Sequence, residues 1–161
     1  MSTNSQKTSM LLKVDGVDGE STIDGYTNWS VVSSILTDIA QPTGSTVAAG
    51  GYTIGTSTHA DVLVDKFIDK ATPILHQLCS TGKPIPEAKL HILRANGDKN
   101  VLWLAYQFKK VVISKDSVST NSGHDRPIET VGIRYAEIHV DYSTGDGNTS
   151  TGYSVEAGKK L

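Results

Sequence analysis

The sequence predicts a mainly β fold: an antiparallel β-barrel, built as two packed sheets, with one short α-helix laid against it. Three observations lead there. Gly, Ser and Thr are plentiful and separate short β-branched and aromatic runs, which suits strands joined by turns better than long helices. The pair Asn96-Gly97, the strongest short hairpin signal, sits between two apolar-rich segments. Only one stretch, Ile74, Leu75, Leu78 and Cys79, places apolar residues at helical spacing.

The elements follow in order along a chain of 161 residues, a length that fits a single domain over 1–161. Residues 1–9 are polar and read as a disordered tail. Met10 to Val14 reads as a first strand, with Met10, Leu12 and Val14 on one face, and Asp15 to Glu20 as a turn. Trp29 to Ile39 is rich in β-branched residues and reads as a second strand.

Gln41 to His59 reads as a long loop holding Pro42 and four glycines, Gly44, Gly50, Gly51 and Gly55. Loops of this length are uncommon in compact domains and usually have a job. Val47, Tyr52 and Ile54 give this one apolar anchors, so it is expected to dock on something.

Val62 to Val64 resumes strand character before the helix. Asp69 or Thr72 can cap the helix start, Pro73 suits a first turn, and Gly82 can end it. Ala88 to Ala95 and Val101 to Ile113 form the hairpin, and Leu102, Leu104, Tyr106 and Phe108 share one face of its second arm. Ser114 to Pro127 reads as a polar loop. Val131 to Tyr142 reads as a long strand whose apolar parity changes near Tyr135 and Ala136, which implies a bulge or cover on both faces. Ser143 to Gly152 reads as a turn and Tyr153 to Val155 as a short closing strand.

Composition excludes several classes of function. Net charge is −2 with both signs interspersed, which leaves no basic footprint for nucleic acid or for a membrane surface. The only cysteine, Cys79, allows no internal disulfide. The start, MSTNSQKTS, lacks the apolar core of a secretory signal, so synthesis and folding in the cytoplasm are expected.

No constellation amounts to an active site. His76 and Cys79 are three apart on the expected helix and could meet as an imidazole–thiolate pair, yet no third orienting group accompanies them. His59, Asp61 and Asp65 match no metal-ligand spacing, and Thr144 to Asn148 has too few carboxylates for a calcium loop. His124-Asp125-Arg126 reads as part of a polar loop. We therefore expect no catalysis, no cofactor and no metal.

The segment Phe67 to Pro86, FIDKATPILHQLCSTGKPIP, continued by Glu87 to Ile92, resembles the signature region of Hcp proteins, the tube proteins of bacterial type VI secretion systems. The matching residues are Asp69, Lys70, Thr72, Pro73, Leu75, Cys79, Gly82, Lys83, Ala88, Lys89 and Leu90. Gly19-Glu20-Ser21, the run ending Val140-Asp141-Tyr142, and Gly152-Tyr153-Ser154 resemble further family segments in the right order. The match is loose over Trp29 to Ile54, so lumen-facing residues cannot be carried over.

The resemblance implies a closed barrel that assembles as a homo-hexameric ring. Rings would stack into a tube, meet the sheath and spike proteins of the apparatus, hold effector proteins in the lumen, and leave the cell without a signal peptide. No toxin domain follows Leu161, so the plain form of the family is expected. Val47, Tyr52 and Ile54 become candidates for subunit contact. The alternative is a tail-tube subunit of a phage or another contractile particle.

Overall fold

The computed structural model describes residues 7–43, 54–123, 125–144 and 146–161. The strands are β1 (Thr8–Val14), β2 (Ser30–Leu36), β3 (Ile39–Ala40), β4 (Thr58–His59), β5 (Val62–Phe67), β6 (Ile85–Asn96), β7 (Lys99–Ser119), β8 (Ile128–Arg134), β9 (Glu137–Thr144), β10 (Gly147–Ser154) and β11 (Lys159–Lys160). One helix, α1 (Thr72–Thr81), lies between β5 and β6.

Six strands close on themselves in the order β7-β6-β1-β2-β5-β8, and β8 pairs back onto β7; every pairing is antiparallel. Closure removes the free edges that an open sheet would expose. This is the barrel with one short helix that the sequence predicts. The wall is lined inside by alternating residues: Leu12 and Val14 of β1, Val62 and Val64 of β5, Val131 and Ile133 of β8, and Phe108 from β7, all fully or almost fully buried.

Strand β7 is the organising element. Its first part, Leu104 to Lys109, pairs with β9, and its last part, Val112 to Ser119, pairs with β8 along the same edge. The change of partner occurs at Lys110, whose φ of 53° is left-handed, so the strand bends there. Opposite the bend, Tyr135 and Ala136 separate β8 from β9, and Ala136 donates its N–H to the Lys109 carbonyl at 3.1 Å. The parity change in the sequence is thus a break between two strands rather than a bulge within one. Ser114 to Ser119, read as loop, is strand, because β8 supplies the backbone partners that polar side chains cannot signal.

Beyond the barrel, β9, β10 and β11 extend the wall as an outer sheet. Residues 147–152, expected in a turn, belong to β10. The hairpin between β6 and β7 turns one residue later than the sequence suggests. Asn96 pairs with Lys99, and Gly97 (φ 64°) and Asp98 form the two-residue loop, with glycine taking the positive φ that such turns require.

The segment from Asp15 to Trp29 folds back on itself. Gly19 donates to the Asn28 carbonyl at 2.7 Å and Ser21 to the Trp29 carbonyl at 2.8 Å. A Cβ at Gly19 would lie 2.6 Å from the Trp29 carbonyl oxygen, so the approach requires glycine. The second strand consequently begins at Ser30 and ends at Leu36, with Ile39 in a separate ribbon.

Helix α1 buries Leu75 and packs Leu78 and Cys79 against the core, whereas Ile74, expected on the same stripe, is exposed. Ala71 is the N-cap and has no side-chain cap, so neither capping candidate caps the helix itself; both instead fix the turn that leads into it. Asp69 Oδ1 accepts from the Ala71 N–H at 3.0 Å, and Thr72 Oγ1 accepts from the Asp69 N–H at 3.1 Å, a reciprocal pair. The helix ends at Gly82 (φ 63°), whose N–H bonds the Leu78 carbonyl.

Candidate functional site

Two regions of the molecule have more than a structural connection to make: an exposed arm on the barrel's outer side and a buried ionic network beneath α1.

The arm is what the sequence presented as a long loop. Strands β3 and β4 pair Ile39 with His59 and Ala40 with Thr58, and a further bridge joins Thr43 to Ile54. Gly55 donates to the Pro42 carbonyl at 3.0 Å, and Ala60 to the Asp38 carbonyl at 3.0 Å, closing the root. Over its described residues the two arms of the ribbon thus bond to each other. Of the three expected contact residues, Ile54 is 72% exposed on this ribbon; Val47 and Tyr52 lie outside the described residues. Leu36 and Ile39, at the root, are also exposed.

His59 anchors the arm to the outer sheet. Its Nδ1 is hydrogen-bonded to the Tyr135 hydroxyl at 2.9 Å, and its ring stacks on Tyr153 at a centroid distance of 5.2 Å. Burial holds the His59 imidazole below its ordinary pKa and pushes the Tyr135 hydroxyl up to about 12. A groove of about 350 Å³ runs between arm and outer sheet, lined by Ile39, His59, Ile138, Val140 and Tyr153 among others.

The imagined cluster of His59, Asp61 and Asp65 is dispersed. Asp61 is bound by Arg134 Nε at 2.9 Å and by Ser114 Oγ at 2.7 Å, and the guanidinium lowers its pKa. Asp65 accepts from Thr130 Oγ1 at 2.6 Å. His76 and Cys79 do not form a pair either: Cys79 packs toward the core, and His76 Nδ1 is bound to Asp116 Oδ2 on β7. His124 and Gly145, in the two remaining loop readings, lie outside the described residues.

The buried network went unread in the sequence. Lys66 continues the inward face of β5 after Val62 and Val64, and Glu129 precedes Val131 and Ile133 on the inward face of β8. The two are directly opposite in the strand register, and both side chains are 0% exposed. Lys66 Nζ lies 2.6 Å from Glu129 Oε2 and 2.8 Å from Asp69 Oδ1, and also donates to the Phe67 carbonyl at 3.3 Å. Thr72 Oγ1 donates to Glu129 Oε2 at 2.7 Å. The signature residues Asp69 and Thr72 thus tie the start of α1 to the end of the barrel. A charged residue in phase with buried ones on a strand is the signal that would have revealed this network.

Asp116 and His76 extend it. Burial, then the neighbouring Glu129 carboxylate, push the Asp116 pKa up to about 6, against the opposing pull of His76. Asp116 Oδ1 and Glu129 Oε1 are buried without hydrogen-bond partners.

The chain is thus a closed antiparallel barrel with an appended outer sheet and a short two-stranded arm. Comparison with known proteins gives its family. The family model described as "Type VI secretion system effector, Hcp" matches residues 11–142. The chain belongs to the Hcp family of type VI secretion proteins.

Protein hcp1 of Pseudomonas aeruginosa is 42% identical over 82 residues, which span 51% of this chain and 51% of that relative, so the match reaches about half its length. A solved structure described as a type six secretion system protein superposes with a TM-score of 0.89 at 27% identity, covering 96% of this chain and 100% of that one. Hcp1 from Salmonella typhimurium gives a TM-score of 0.80 at 26% identity, covering 96% and 99%. No helix among the described residues is long and apolar enough to cross a membrane.

Proposed function

We propose that the chain is a subunit of the type VI inner tube. Six copies close into a ring, rings stack inside the sheath beneath the spike, and the tube leaves the cytoplasm with effector proteins held in its lumen. The observation that carries this reading is the family match over 11–142, joined to structural likeness along almost the whole chain. The arm supports it. A ribbon that carries the exposed Ile54, with Leu36 and Ile39 exposed at its root, is suited to meet a neighbour, and the groove beside it is suited to receive one. Ring contacts of this kind are heterologous and close by rotation.

The role is one of assembly, with no reaction and no cofactor. Electron microscopy of the concentrated chain tests it. Annular particles of uniform diameter, some stacked on a common axis, are expected; isolated compact particles at every concentration would refute it.

A further inference from the structure

The network beneath α1 holds more negative charge than its one ammonium balances. Asp69, Asp116 and Glu129 supply three carboxylates against Lys66, leaving a surplus of two negative charges when His76 is neutral. Uncompensated buried charge is costly and is relieved by pairing, protonation or metal coordination. Lys66 has nothing left to give, since its three N–H bonds go to Asp69, Glu129 and the Phe67 carbonyl. Yet Asp116 Oδ1 and Glu129 Oε1 are unpartnered, on side chains only 2% and 0% exposed.

His76, Asp116 and Glu129 each offer a ligand atom, and these atoms lie within 4.8 Å of one another. We propose that His76 of α1, Asp116 of β7 and Glu129 of β8 form a binding site for one divalent first-row transition cation, for which Zn²⁺ is the best fit. One imidazole nitrogen and two carboxylate oxygens suit Zn²⁺, with a fourth position left for water. A charge of +2 cancels the surplus. Tetrahedral Zn²⁺ needs its ligand atoms roughly 3.3 Å apart, so the imidazole must move off Asp116 to admit the ion. The His76 side chain is half exposed and free to do so, and its open side gives the ion its entry. The bound ion would pin α1 to both strands.

Protonation is the competing way to remove the same charge: an imidazolium at His76 and a proton shared by the two carboxyls. The experiment separates the two. The untagged 161-residue chain, stripped with a chelator, is titrated at neutral pH with Zn²⁺ by calorimetry and with Co²⁺ by visible absorption. One ion per chain is expected, with a rise in Tm on adding Zn²⁺. His76→Ala and Asp116→Asn should each weaken binding more than roughly tenfold. The first removes a half-exposed side chain, and the second keeps the shape of the buried one, so one folded variant suffices. Absence of binding by the parent chain, or unchanged affinity in a folded variant, overturns the site and leaves the charge to protons.

Discussion

Lys66 and Glu129 face each other across β5 and β8 with Nζ and Oε2 2.6 Å apart, and neither side chain reaches solvent. Removing Lys66 leaves the Glu129 and Asp69 carboxylates without their shared counter-ion, whereas removing Glu129 leaves Lys66 still paired with Asp69. Lys66→Ala should therefore cost about 3–5 kcal/mol, and Glu129→Ala less. The double variant should lose clearly less than the sum, because no orphan charge from this pair remains. Urea denaturation of the three variants measures it. Strict additivity would mean the pair does not act as a unit.

Cys79 is a packing residue. Cys79→Ala removes one sulfur from a partly buried site at the core margin, so a loss of about 1 kcal/mol is expected, with assembly intact. A folded Cys79→Ala chain that no longer assembles would show that the thiol has a role beyond packing.

Acid should weaken the fold through two histidines. Burial lowers the pKa of His59 in the arm groove and of His91, which lies between Tyr26 and Trp29; Lys89 adds to the effect at His91. Their folded-state values lie below the ordinary 6.5, so the unfolded chain takes up protons first as pH falls. The stability these groups contribute is present above about 6.5 and lost below it as pH falls toward the folded values. His91→Gln, which can still bond the Tyr26 hydroxyl, should therefore lose less Tm than the parent between pH 7.5 and 5.5. An equal loss would place the acid sensitivity elsewhere.

Much of the fold was legible because it depends on local chemistry. The helix was marked by Pro73, Gly82 and the spacing of Leu75 and Leu78, and the hairpin by Gly97. Less legible was anything decided by distant partners. Lys110 carries no sign that its backbone turns left-handed, since the bend is imposed where β9 gives way to β8 along β7. The arm read as loop because strands β3 and β4 are two residues each and pair across polar, glycine-rich sequence. In the sequence His76 has Cys79 near it, three residues on, while the tertiary fold brings it to Asp116, 40 residues away.

The arm should matter for assembly more than for folding. Ile54 is exposed on a ribbon that bonds to itself. Replacing Val47, Tyr52 and Ile54 together by Ser should leave far-ultraviolet circular dichroism unchanged and shift the size-exclusion profile toward smaller species. An unchanged profile would return the arm to a surface feature, and loss of the β signal would mean that it packs within its own subunit.

Native mass spectrometry of the unmodified chain decides whether it closes into a ring. Across micromolar concentrations a dominant species of six chains, each of 17.2 kDa, is expected. A chain that stays monomeric throughout would contradict it.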